Sequence, residues 1–258
     1  KANPHYWDMG ADGKPLPYLD GLELKYVPES NSRVLGLRNG DYDLISTVAF
    51  NQAKSLEGDS NLVVDSTPIF RLDYVYLNHK KKPLDNRDFR LALNYASDRE
   101  AILKAVYFGY GQVPNSYMPI VNFHSAAVPV IPFDTAKAKE LVAKSGYDGA
   151  PIQIMVDAGN APSKQVATIL QQGWEAAGIK SEIVEIDVGT AWTMTTKGEH
   201  QAYVSYITSD INDTDELATI QADVTAGSNA FFTWYDNKDV QAMLTEARRA
   251  GDQAKRAE

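Results

Sequence analysis

The strongest constraint in this 258-residue chain is the regular exchange of two hydrophobic periods. Short apolar runs of strand type alternate with longer stretches of helical period, a pattern that lays strands side by side and packs crossover helices on them. Within the first 70 residues, Leu22 to Val27, Asp43 to Val48 and Leu62 to Asp65 read as strands. Ser30 to Arg38, stopped by Gly40, and a short stretch opened by Asn51 read as helices, giving a compressed βαβαβ run with parallel pairs. From Leu72 the chain repeats the exchange. Tyr74 to Leu77 is expected as a strand buried on both faces, followed by a helix over Asn86 to Tyr95. Ser97 and Glu100 form a capping-box pattern before Ile102, Leu103 and Val106, with Gly109 placed to end that helix. Gly111 to Pro132 has no period and reads as a long loop. Asp134 is expected to cap a helix that stops at Gly146. Strands at Ile152 to Val156, Ser181 to Ile186 and Ala202 to Thr208 follow, separated by helices over Lys164 to Ala177 and Ala191 to Lys197. A last helix from about Lys238 carries Val240, Met243, Leu244 and Ala247 on one face and runs to Glu258 without a stop signal.

Size and charge narrow what such an α/β chain does. With 44% hydrophobic residues it exceeds the length at which single cores divide, so two lobes, or one lobe with part of another, are expected. The net charge is −9 and the only basic run is Lys80, Lys81 and Lys82, which disfavours nucleic acid and anionic lipid as partners. No apolar run approaches the roughly 20 residues of a membrane span, so membrane insertion of this segment is not expected. Lys1 leads straight into Asn3-Pro4-His5-Tyr6-Trp7, and this start, with the unfinished last helix, reads as a segment of a longer protein. The absence of cysteine removes disulfides and thiolate metal sites and suits an oxidising compartment. His5, His79, His124 and His200 fall in no metal-ligating spacing, so neither a metal nor a cofactor is expected. No G-x-S-x-G elbow or glycine-rich phosphate loop occurs, which argues against a hydrolase and, more generally, against an enzyme.

The stretch Tyr76-Leu77-Asn78 through Pro83-Leu84-Asp85-Asn86-Arg87-Asp88-Phe89-Arg90-Leu91-Ala92-Leu93, with Ser97-Asp98-Arg99-Glu100-Ala101-Ile102, resembles the signature of the peptide and nickel class of bacterial extracellular solute-binding proteins. Asn3 to Trp7, Gly40-Asp41-Tyr42-Asp43-Leu44, Gly109-Tyr110-Gly111, Asp134 to Leu141, Gly146-Tyr147, Gln171 to Ile179 and Tyr235-Asp236-Asn237 resemble further landmarks in the same order. The resemblance implies a periplasmic-binding-protein-like α/β fold of type II with an extra subdomain, two lobes closing on a ligand by a hinge. Residues 1–70 would be part of lobe I, and 71–258 most of lobe II without its C-terminal end. It also implies a monomeric receptor in the periplasm, or outside the cell on a membrane anchor, that delivers a small peptide-like ligand to the permease subunits of an ABC transporter. The class also takes oligosaccharides, opine-like conjugates and nickel chelates, and a sensory ligand-binding domain is a further alternative.

One loop draws the candidate site. Asp210 follows the strand Ala202 to Thr208 in Thr208-Ser209-Asp210-Ile211-Asn212-Asp213-Thr214-Asp215-Glu216, the kind of strand-end loop that lines a crevice in α/β proteins. By the resemblance, Asp210 holds a ligand α-ammonium, with Ser209 and Asn212 beside it; the residues alone equally allow Asp210, Asp213 or Asp215 to cap the next helix. A calcium loop is disfavoured, since the glycine at the sixth position and the glutamate at the twelfth are missing. Certain oligopeptide binders carry an arginine six residues before this aspartate, where this chain has Val204. Tyr203, Tyr206, Tyr107, Tyr110, Tyr117 and Trp192 are candidates to stack on a ligand or donate a hydroxyl, while Trp174 and Trp234 are expected in the core. Thr47 to Phe50 is placed to present backbone amides from the first lobe, or to serve as an ordinary connection.

Overall fold

A computed structural model describes residues 3–117, 127–211, 213–225 and 232–252. The chain divides into two units, Lys1–Val63 and Val64–Glu258, seven residues before the boundary expected from the sequence.

The first unit holds two helices, α1 (Ser30–Asn39) and α2 (Phe50–Leu56). Gly40 ends α1 in the left-handed conformation, φ +79°, as its position after the last periodic residue predicts. The N-cap is Glu29 and makes no side-chain cap bond; Ser30 instead bonds Gln52 of α2 at 2.5 Å. Arg33 donates to the carbonyls of Val27, Pro28 and Thr47, tying the segments around α1 to it. The three expected strands are a correction: no strand forms at Leu22–Val27, Asp43–Val48 or Leu62–Asp65. A strand exists only where another strand satisfies its backbone groups, and no described residue of this unit pairs with them. Their apolar side chains are accordingly open, with Leu24 87%, Tyr26 93% and Val63 96% exposed.

The second unit runs β1 (Arg71–Leu77), α3 (Arg87–Tyr95), α4 (Arg99–Ala105), α5 (Thr135–Ser145), β2 (Ile152–Asp157), α6 (Ala161–Ala176), β3 (Ser181–Ile186), α7 (Val188–Lys197), β4 (Ala202–Thr208), α8 (Thr214–Ala222) and α9 (Lys238–Arg249). Side-chain caps set most helix starts. Asn86, Asp134, Asn160, Asp187 and Asn237 each accept from amides of the first turn. Before α4 the cap is Asp98, which accepts from Ala101, and not the expected Ser97. Ser97 is buried; it donates to the Leu93 carbonyl and accepts from the Trp174 indole, so the core has claimed its hydroxyl.

The sheet is mixed, in the order β1-β4-β2-β3, with β1 antiparallel to β4 and the other pairs parallel. Its residues alternate between two faces. Val75, Leu77, Ile152, Ile154, Val156, Ala202 and Val204 face the main core, built with Phe89, Leu93, Leu141, Leu170 and Trp174 of α3, α5 and α6. Tyr74, Tyr76, Met155 and Tyr203 face a smaller cluster with Ala191 and Met194 of α7 and Phe232. Trp234, expected in the core, is half-buried with Lys80 over its ring at 3.5 Å. In α9 the inward residue is Gln241, bonded to Asp236, while Met243 is 66% exposed and the described helix stops at Arg249.

Candidate strand-edge binding site

The strand connections locate a crevice. From β2 the chain passes through α6 on the main-core face to β3, then through α7 on the opposite face back across β2 to β4. The loops leaving β2 and β4 therefore part to opposite faces, since α8 places Gln221 beside the Tyr76 hydroxyl on the α7 side. In open α/β sheets that parting opens a cleft at the carboxyl ends of the two strands.

The two strands also end at different heights. The register sets Met155 against Tyr203, so Asp157, the last residue of β2, stands level with Ser205. β4 continues to Thr208, paired only with Arg71 of β1 on its other side. Beyond Ser205 the β2-facing edge of β4 has no strand partner among the described residues. A step of roughly 10 Å results, at about 3.3 Å per strand residue. It presents free main-chain donors and acceptors, the template on which an extended backbone adds as a strand.

The loop above the step is held from behind. Glu216, in the first turn of α8, accepts through one oxygen from the amides of Asp210 at 3.0 Å and Ile211 at 3.3 Å and from the Ser209 hydroxyl at 2.9 Å, whose one proton is shared with the Ile211 carbonyl at 2.6 Å. Asp213 is the residue that caps α8, accepting from Asp215, so the helix does not need Asp210. The Asp210 side chain is exposed and takes no hydrogen bond or ion pair from the described residues.

The flanks of the step are aromatic and charged. On the main-core face Arg71 lies over the Tyr206 ring, 3.8 Å from its centroid, and pairs with Asp73 at 2.9 Å. Burial works against the Arg71 charge, but Asp73 outweighs it and the net shift is upward. Tyr107 stands near the same pair; burial first, then Asp73, push its hydroxyl up. On the other face the Tyr203 hydroxyl donates to Asp157 at 2.6 Å, and burial followed by this bond raises it. Tyr74 donates to the Tyr117 carbonyl.

Of the residues picked from sequence, Tyr203, Tyr206, Ser209 and Asp210 thus gather along β4 and its loop, with Tyr203 and Tyr206 on opposite faces. Tyr117 reaches the Tyr74 side through its backbone, and its own ring is 43% exposed. Tyr110 is half-buried in the loop after α4, and Phe50 opens α2 in the first unit. Asn212 lies outside the described residues. The sequence reading missed Glu216, whose place three residues after the cap Asp213 is a recognisable first-turn signal, and Asp157, the polar end of an apolar strand. Among the described residues no group of histidine, aspartate and glutamate has metal-binding geometry, and no helix is long and apolar enough to cross a membrane.

Comparison with known proteins identifies the family and the fold. Residues 1–229 match the family model of the middle part of bacterial extracellular solute-binding proteins, family 5. The chain is 31% identical, over its whole length, to 49% of a di/tripeptide-binding protein of Pseudomonas aeruginosa. It is 28% identical, over 97% of its length, to half of a glutathione-binding protein of Escherichia coli. Its fold superposes with a TM-score of 0.78 and 27% identity on the periplasmic binding protein DppA of Helicobacter pylori in complex with the peptide STSA, covering 90% of this chain and 46% of that one. The chain spans about half the length of the curated relatives it matches.

Proposed function

Because this chain belongs to the family 5 bacterial extracellular solute-binding proteins, we propose that it is part of a receptor, and not of an enzyme, that captures a peptide-like solute with a free α-ammonium group. The solute lies along the open edge of β4. Its backbone takes up the edge of β4 that extends past β2, from Tyr206 to Thr208, and its ammonium meets Asp210. Tyr206, backed by Arg71, and Tyr203 flank it on either face of the sheet. The two units belong to two lobes joined by a hinge, and the bound solute favours the closed form by adding contacts from the other lobe. The closed receptor then meets the permease of an ABC importer on the outer side of the membrane, as a monomer.

The observation that carries this reading is the pairing of a main-chain edge left open with a carboxylate left without a partner at its end. A chain built only for stability covers such an edge. The reading is tested by calorimetric titration of the full-length protein and its Asp210→Asn variant with a free tripeptide and its N-acetylated form. Acetylation and the substitution should each weaken binding by about 2–5 kcal/mol, the range for truncating a buried charged pair, and should not add. Equal affinity of the acetylated and free peptides would remove the ammonium from the site.

A further inference from the structure

The foot of the step carries a second anion that the reading above leaves unused. Asp157 ends β2, level with Ser205, on the sheet face shared with Tyr203, Met155 and Tyr74. It is half-buried and receives the Tyr203 hydroxyl at 2.6 Å. No lysine, arginine or histidine pairs with it among the described residues, although those of the second unit form six ion pairs elsewhere, from Arg71–Asp73 to Arg248–Asp223. Other acids about the sheet are committed: Asp187 caps α7, Asp73 on the opposite face holds Arg71, and Glu216 holds the Asp210 loop. Asn160, the other polar side chain of the β2 exit loop, caps α6 by accepting from Ser163.

A partly desolvated carboxylate with one phenolic donor is under-compensated, and a cation arriving from the crevice completes it at little further desolvation. Tyr203 is itself buried, so the bond fixes the carboxylate's direction as well as its position. Asp157 also stands at the right remove from Asp210. Five residues of β4 and its loop separate the level of Asp157 from Asp210, roughly 10–16 Å along the edge, which is the reach from the ammonium of an extended peptide to a long side chain on its second or third residue.

We infer that Asp157, oriented by Tyr203, makes this receptor selective for peptide-like solutes carrying a second positive charge, a lysine- or arginine-type side chain two or three residues from the amino end. This rests on the proposed binding of a peptide along β4. Asp157 would be a contact residue, and Tyr203 a positioning residue acting through it.

The test compares tripeptides that differ only in that charge: Ala-Lys-Ala and Ala-Ala-Lys against the same peptides with norleucine for lysine. Titration of the full-length protein should show at least one lysine peptide bound about tenfold or more tightly than its norleucine counterpart. Asp157→Asn should bring that ratio to within about twofold while leaving the norleucine peptide's affinity unchanged. Tyr203→Phe, which removes the hydroxyl that orients Asp157, should lower the lysine-to-norleucine ratio in part; loss of a contact that only flanks the peptide would weaken both peptides alike and leave the ratio unchanged. Equal binding of lysine and norleucine peptides by the wild type, or a ratio retained in Asp157→Asn, overturns the inference and leaves the Asp210 reading standing. Binding of none of the four peptides overturns both.

Discussion

Removing the Glu216 carboxylate tests whether the Asp210 loop is preformed. Its single oxygen collects three donors, from the Ser209 hydroxyl and the amides of Asp210 and Ile211. A hydrogen bond to a charged group contributes about 1.5–3 kcal/mol where water is excluded; Ser209 is only 8% exposed but shares its proton with the Ile211 carbonyl at 2.6 Å, so its bond to Glu216 lies at the low end of that range. The two amides belong to exposed residues and one bond is long, at 3.3 Å, so each adds about 0.5 kcal/mol or less. The three share one acceptor and are not additive, which leaves about 1–3 kcal/mol holding the loop in place. In Glu216→Ala the loop loses that restraint, and a ligand must restore its order on binding. Affinity for an amine-bearing ligand should fall about 5- to 150-fold, at 1.4 kcal/mol per tenfold. Glu216→Gln keeps an acceptor oxygen for the same donors and removes only the charge, so its loss should stay under about fivefold. Calorimetric titration gives the affinities, and hydrogen exchange at the amides of Asp210 and Ile211 gives the loop's order; both should move together in the alanine variant. If Glu216→Ala binds as the wild type does, the loop needs no support from α8. If Gln is as damaging as Ala, the charge and not the loop geometry is what matters.

Two further outcomes follow from the core and from a buried imidazole. A Cβ on Gly173 would stand 2.1 Å from the Ala96 carbonyl oxygen, where α6 crosses the end of α3. Gly173→Ala should therefore lower stability by about 1–3 kcal/mol despite a helix-propensity gain of about 1 kcal/mol, read as a lower urea midpoint at unchanged slope; a rise would show that the crossing yields easily. His79 is held at about 4, chiefly by burial and then by the nearby Arg90 charge. Its neutral form is favoured in the folded state, so the stability it confers is present above the unfolded value near 6.5 and is lost as pH falls towards 4. Between pH 7 and 4.5 the wild type should lose more stability than His79→Gln; equal losses would show that this ring is not linked to folding.

Much of the second unit was legible because its signals are local. Asn86, Asp134 and Gly146 act on amides and carbonyls within a turn of themselves, and the three parallel strands carry their apolar runs in place. The reading failed where a remote partner decides. Leu22, Leu24 and Tyr26 alternate as a strand does, but alternation supplies no neighbour, and the segment forms no ladder. Ser97 fits a capping box, yet Trp174, far along the chain, takes its hydroxyl and Asp98 caps instead. Met243 and Gln241 exchanged places for the same kind of reason: Asp236 satisfies the buried amide, so helix period alone could not assign the inward face. At the site, Asp210 stood out by its place after an apolar strand. The step did not, because no feature of Tyr206 to Thr208 records that β2 stops short beside it.

That mismatch in strand length has an evolutionary corollary. Main-chain atoms are the same whatever residue bears them, so on the proposed reading the edge itself would measure the course and extent of a guest backbone and leave the choice among guests to side chains. Under that proposal discrimination would fall to a few outlying groups at the two ends of the ledge, Asp210 above and Asp157 below, and exchanging either would redirect the site to a new class of solute while the scaffold stayed intact.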